Sequence, residues 1–182
     1  MSVFFPDSYV DSLFEVDFAA LYNEGYRGVI FDVDNTLVPH GAHGDERAIA
    51  FFKYLRDIGF VTLLLSNNGE PRVKSFKEEV GATGYIYKAG KPKRSGYEKA
   101  MEMLGTDRDT TLFCGDQIFT DIWGANISGI RTIMTKPVLK WREEPQIILK
   151  RFAEAIVLFA YKIKVTFTGE KYPAPIKKDS SG

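Results

Sequence analysis

From residue 28 onward, short apolar runs alternate with longer amphipathic stretches, the pattern that parallel strands and their crossover helices impose on a chain. Runs at 28–31, 60–65, 84–87, 110–114 and 130–134 predict five strands. The first two are apolar without alternation, as strands covered on both faces require. Helical periodicity fills the intervals at 45–58, 70–80, 95–104 and 120–128. Gly59, Gly81, Gly105 and Gly129 follow these segments, where a left-handed residue closes a helix and turns the chain toward the next strand. The expected fold is α/β, a three-layer α/β/α sandwich on a five-stranded parallel sheet.

Two segments fall outside that rhythm. Residues 6–22 place Tyr9, Val10, Leu13, Phe14, Phe18 and Leu21 at spacings that suit one apolar helical stripe, so an N-terminal helix is expected. Along 147–164, Ile148, Leu149, Phe152, Ala155, Ile156, Phe159, Ala160 and Ile163 share a helical face, with Lys150, Arg151, Glu154 and Lys162 opposite. Such a helix either lies in an anionic membrane interface or packs on the sheet layer or a second subunit. The organisation expected is a helical extension at 1–24, a core at 25–137, an amphipathic helix at 138–167 and a disordered polar tail at 168–182.

Composition narrows the setting. Lys and Arg together number 24, as do Asp and Glu, so the overall charge favours neither nucleic acid nor a strongly acidic partner. The lone Cys114 has no disulfide partner within the chain, and acidic residues interrupt the apolar positions of the N-terminus. Both features point to the cytoplasm, with peripheral membrane contact through 147–164 left open. Oligomeric state is not legible.

The chemistry lies where the strands end. Asp32 and Asp34 close the first strand, and residues two apart on extended chain point to the same side. A DxD alone reads equally well as a capped turn. The second strand, however, runs into Ser66-Asn67-Asn68, the third is followed by Lys91-Pro92, and the fourth runs into Gly115-Asp116 and on to Asp121. Singly, Ser66 could cap a helix, Lys91 could be a solvated lysine and Asp116 a turn residue. Together they bring a hydroxyl, an ammonium and further carboxylates to the sheet edge where ligands bind in parallel sheets. Hard oxygen ligands suit Mg²⁺, Lys and Ser suit phosphate oxygens, and a carboxylate can be a nucleophile.

In order and spacing these segments resemble the four motifs of the haloacid dehalogenase-like (HAD) phosphohydrolases, and the N-terminal stretch through His40 is similar to the YqeG group of subfamily IIIA, relatives of the phosphatidylglycerophosphate phosphatases of mitochondria and plastids. The resemblance implies a Rossmannoid, HAD-like core and a phosphoric monoester hydrolase that passes through an aspartyl-phosphate. It assigns Asp32 as nucleophile and Asp34 as general acid and base. Ser66, Asn67 through its backbone amide, and Lys91 would bind phosphate. Mg²⁺ would be held by Asp32, the Asp34 backbone carbonyl and Asp116, with Asp121 a ligand directly or through water. Asn35 and Thr36 are expected to shape the turn, and His40 and His43 to be surface residues of a small flap at 38–44.

The motifs follow one another at intervals of one βα unit, which leaves no room for a large cap domain. An open site admits a phosphate on a bulky carrier. The substrate expected is a phosphomonoester on a large or lipid molecule, foremost phosphatidylglycerophosphate, with a phosphoprotein or polynucleotide end as alternatives. A non-catalytic phosphoacceptor or scaffold module is the reading from another class. Asp34 speaks against it, because response-regulator receivers place no second carboxylate two residues after the acceptor.

Overall fold

The computed structural model describes residues 3–138, 145–168 and 175. Six strands form one parallel sheet: β1 (Ser8–Val10), β2 (Gly28–Phe31), β3 (Val61–Leu65), β4 (Gly84–Ile86), β5 (Thr111–Gly115) and β6 (Arg131–Thr135). Their order is β1-β6-β5-β2-β3-β4, so β2 is central, with Phe31 in register with Leu64 on one side and Cys114 on the other.

Alternation along β2 divides the core. Val29 and Phe31 face α1 (Phe18–Asn23), α2 (Glu46–Ile58) and α3 (Glu70–Val80), in a cluster that includes Phe18, Phe51, Phe52 and Phe76. Ile30 faces α4 (Arg94–Leu104) and α5 (Trp123–Ile127) with Tyr97, Phe113 and Ala125. Fully burying a side chain such as Phe31 is worth about 1.5–3 kcal/mol, so this packing holds the strand ends in place. The expected glycine stops are present: Gly59, Gly81, Gly105 and Gly129 all have positive φ.

The N-terminal segment corrects the expected single helix. It comprises β1, a 3-10 turn at Leu13–Glu15 and the short α1. Two local caps divide it, since Ser12 Oγ accepts the Phe14 N–H and Asp17 Oδ1 accepts the Ala20 N–H. The stretch before them pairs with the open edge of β6, where Asp7 Oδ2 accepts the Thr132 N–H at 2.8 Å. The sheet therefore has six strands where sequence periodicity predicts five. Val10, Leu13, Phe18 and Leu21 are buried as the stripe suggests, while Tyr9 and Phe14 are half-buried.

A second difference lies before α5. The helix expected from residue 120 begins at Trp123, after a single π turn over Ile118–Ile122. Both Asp121 N–H and Ile122 N–H donate to the Gln117 carbonyl, at 3.0 and 3.1 Å, and that widening swings Asp121 back beneath Gly115.

The C-terminal helix, α6, spans Pro145–Thr168. No helix among the described residues is long and apolar enough to cross a membrane. Apart from Thr168 and Pro175, the tail expected to be disordered lies outside the described residues.

Candidate active site

Asp32 extends the β2 ladder by one bond, its N–H donating to the Cys114 carbonyl at 2.9 Å. That fixes its backbone between β3 and β5, and the side chain is buried. Lys91 Nζ lies 2.6 Å from Asp32 Oδ1 and 2.6 Å from Asp121 Oδ1. Asn67 in turn holds the lysine's backbone, accepting the Lys91 N–H at 2.8 Å and donating from Nδ2 to its carbonyl at 3.3 Å. Ser66 and Asn67 follow β3 directly, one strand over from Asp32, and Ser66 Oγ accepts the Asn68 N–H at 3.2 Å.

Asp116 and Asp121 arrive from the end of β5. A Cβ on Gly115 would lie 2.7 Å from the Cβ of Asp121, so only glycine lets the π turn fold back so closely. Asp121 Oδ2 accepts the Gln117 N–H at 3.0 Å, so each of its oxygens already has a donor. Thr36 does more than shape its turn. Its Oγ1 lies 3.2 Å from Asp32 Oδ2 and 3.1 Å from Asp116 Oδ1, and with one proton it donates to one carboxylate at a time. Asn35 has the role the sequence suggests, a left-handed residue at φ 64° whose Oδ1 accepts the His40 N–H.

Oxygens of Asp32, Asp116 and Asp121 all lie within 4.8 Å of one another. Three buried carboxylates against the single ammonium of Lys91 leave negative charge in excess among these groups. Such a cluster is costly in a low-dielectric interior unless a proton or cation offsets it. Burial accordingly pushes Asp32 up to about 6, even though the Lys91 ammonium pulls the other way. Burial alone would lower the Lys91 pKa, but the carboxylates of Asp121 and Asp32 outweigh it and raise it. All the cluster's potential ligands are oxygens, which suits a hard divalent cation.

Asp34 turns into a separate nest of donors. Gly41 N–H donates to its Oδ1 at 2.8 Å, Arg72 Nη2 approaches the same oxygen at 3.0 Å, and Asn68 Nδ2 donates to Oδ2. The 38–44 loop thus folds over Asp34. It is also fastened to α3, with His43 Nδ1 2.8 Å from Glu79 Oε1 and the Gly44 N–H donating to Glu79 Oε2 at 2.6 Å. His40 and His43 are largely exposed, and neither joins the carboxylate cluster.

Three residues escape the sequence reading. Asn68 stands there only as part of the polar run that follows the second strand, and Arg72 carries no assignment. One signal was available for Arg72: a cation in the first turn of a helix opposes the macrodipole and needs another reason to be there. The third is Glu154 on α6, whose buried Oε1 accepts the Ile118 N–H at 2.8 Å, just after Asp116. No local pattern distinguishes it from the other charges of an amphipathic helix.

Among the described residues, no inserted domain interrupts the sheet. The span between β2 and α2 covers only residues 32–45, and that between β3 and α3 only 66–69. Among the described residues, then, no cap domain covers the edge carrying Asp32, over which the 38–44 loop folds and where the Val138 N–H donates to the Asn35 carbonyl at 2.7 Å.

Residues 45–129 match the haloacid dehalogenase-like hydrolase family, a span that holds Ser66, Lys91, Asp116 and Asp121. The chain is 35% identical over 136 residues to "Probable phosphatase YqeG" of Bacillus subtilis, covering 74% of this chain and 78% of that protein. It is 28% identical over 155 residues to the chloroplastic/mitochondrial phosphatidylglycerophosphate phosphatase 1 of Arabidopsis thaliana, covering 79% of this chain and 43% of the plant protein. Among solved structures, that of an uncharacterized protein from Listeria monocytogenes serotype 4b matches with a TM-score of 0.51 at 18% identity, over 65% of this chain and 85% of that one, a likeness of fold.

Proposed function

This chain belongs to the YqeG-type phosphatases of the haloacid dehalogenase-like hydrolases, and from that premise we propose that it is a Mg²⁺-dependent phosphomonoesterase acting on phosphatidylglycerophosphate through an aspartyl-phosphate on Asp32. The observation that carries the reading is the buried cluster in which Lys91 bridges Asp32 and Asp121 beside Asp116.

Asp32, Asp116 and Asp121 are the side chains that would hold the cation, together with the Asp34 backbone carbonyl. Asp121 would be a ligand directly or through a water. A bound divalent cation supplies the positive charge that lets an anionic nucleophile meet an anionic phosphate. An Asp32 oxygen attacks phosphorus, the P–O bond to the alcohol breaks, and the Asp34 carboxyl gives its proton to the departing oxygen. Water then attacks the aspartyl-phosphate while Asp34 takes the proton back, which frees inorganic phosphate and restores Asp32. Lys91 neutralises charge on the transferring group, and the Ser66 hydroxyl and Asn67 N–H hold its oxygens.

The lipid substrate is supported by the plant relative's name and by the lack of an inserted cap domain among the described residues, which leaves room for a carrier too large to be enclosed. The test is phosphate release from detergent-dispersed phosphatidylglycerophosphate with Mg²⁺, beside a soluble aryl phosphate. The reading expects the lipid to be turned over with kcat/KM roughly a hundredfold or more above the aryl ester, because remote binding energy is used in the transition state. Equal or slower turnover of the lipid would refute the substrate assignment and leave the phosphatase chemistry standing.

A further inference from the structure

Tyr97, near the start of α4, is fully buried. Its ring lies against Phe113 of β5, with the centroids 5.2 Å apart. For that packing alone a phenylalanine would serve, and a buried hydroxyl needs a partner. The partners here belong to the π turn. Tyr97 Oη lies 2.6 Å from the Thr120 carbonyl and 3.2 Å from the Asp121 carbonyl, and its one proton goes to one of them at a time. Gly124 makes room for it, since a Cβ there would overlap the hydroxyl and lie 2.6 Å from the ring carbon that bears it. Burial, and after it the Asp121 carboxylate, raises the pKa of the phenol, so the phenol keeps the proton it donates.

The segment that carries Tyr97 also carries Lys91, just before α4 begins. It therefore grips Asp121 twice. Lys91 Nζ holds the carboxylate at 2.6 Å, and Tyr97 holds the backbone on which that carboxylate is mounted. A π turn is an uncommon conformation, seen mostly as a single turn at functional sites. Relaxation to ordinary α-helical winding would rotate the Asp121 side chain away from Gly115 and Lys91.

We infer that Tyr97 is a positioning residue for the cation site: its hydroxyl pins the π turn in the form that presents Asp121 to Lys91, Asp32 and Asp116. The inference rests on the reading of that cluster as a Mg²⁺ site. Tyr97 touches neither substrate nor cation; it acts through Asp121, whether Asp121 meets the ion directly or through a water.

The experiment is calorimetric titration of the full chain with Mg²⁺, without substrate, for wild type, Tyr97→Phe and Ile130→Val, with the melting temperature of each recorded in the absence of metal. Tyr97→Phe keeps the ring against Phe113 and removes only the hydroxyl. Ile130→Val trims the same core cluster at the opposite edge of the sheet from the site, and so matches a loss of stability without touching the turn. Both variants are expected to melt a few degrees lower. Tyr97→Phe is expected to bind Mg²⁺ roughly tenfold or more weakly, the usual effect of removing a group that orients a metal ligand, whereas Ile130→Val is expected to bind it as the wild type does. A Mg²⁺ affinity unchanged by Tyr97→Phe would overturn the inference and leave the Mg²⁺ site standing. Equal weakening in Ile130→Val would overturn it too, because metal binding would then follow stability alone. A wild type that binds no Mg²⁺ would overturn the reading of the cluster, and the inference with it.

Discussion

Arg72 Nη2 stands 3.0 Å from Asp34 Oδ1, and Asn68 and the Gly41 N–H hold the same carboxylate. Three elements, the 38–44 loop, the β3 end and α3, thereby fix the orientation of one side chain. Arg72 Nε is buried and lacks a hydrogen-bond partner, an unmet donor beside the residue that must handle a proton.

Replacing Arg72 is therefore expected to cost turnover more than folding. Arg72→Ala removes a charge-assisted bond worth about 1.5–3 kcal/mol, which corresponds to a fall in kcat of roughly ten- to a hundredfold. Arg72→Lys keeps the charge but not the planar fork and should recover only part of the loss. Steady-state kinetics on an aryl phosphate, with the melting temperature as control, checks this; an unchanged kcat in both variants would show Arg72 to be incidental.

Glu154 links α6 to the loop that carries Asp116. Glu154→Gln retains an oxygen to accept the Ile118 N–H, whereas Glu154→Ala leaves that buried donor unpaired at about 1–3 kcal/mol. The alanine variant is expected to melt several degrees lower and to need roughly threefold or more Mg²⁺ for half-maximal activity, because Asp116 is less well placed. Glutamine should restore both. A Mg²⁺ titration of the two variants separates positioning from packing, since loss of packing alone would lower the melting point and leave the Mg²⁺ requirement unchanged.

The pKa of Asp32 ties metal to pH. Burial raises it to about 6 in the folded chain, against roughly 3.9 when unfolded. Without metal, the folded state thus binds this proton more tightly than the unfolded state does. The resulting stabilisation is complete below the unfolded value and is lost as pH rises through about 6. A cation competes with that proton, so the rise in melting temperature caused by Mg²⁺ should be largest above pH ~7 and shrink as pH falls below about 6. Thermal unfolding with and without Mg²⁺ across this range checks the sign; an increment that is constant or grows in acid would contradict it.

What the sequence disclosed follows from how local each signal is. Runs such as 28–31 and the glycines after four helices announce themselves within a few residues, and the parallel order then carries Asp32, Ser66, Lys91 and Asp116 to one edge. The strand β1 was missed because three residues carry little periodicity and its partner β6 lies more than a hundred residues away. Arg72 and Glu154 were missed because their partners, Asp34 and the Ile118 amide, are 38 and 36 residues distant and only the folded chain introduces them. The double role of Thr36, reaching both Asp32 and Asp116, is likewise a product of the third dimension.

The central claim is that the phosphoryl group passes to Asp32, and the most direct measurement is acid-quenched turnover followed by peptide mass spectrometry. With Mg²⁺ and an aryl phosphate, the wild type should carry a transient phosphoryl group on the peptide containing Asp32. Asp34→Asn should accumulate more of it, because hydrolysis of the acyl phosphate lacks its base. Asp32→Asn should carry none and release phosphate at least roughly a thousandfold more slowly, as expected for loss of a covalent nucleophile. A phosphoryl group found on Ser66, or undiminished phosphate release by Asp32→Asn, would contradict the account.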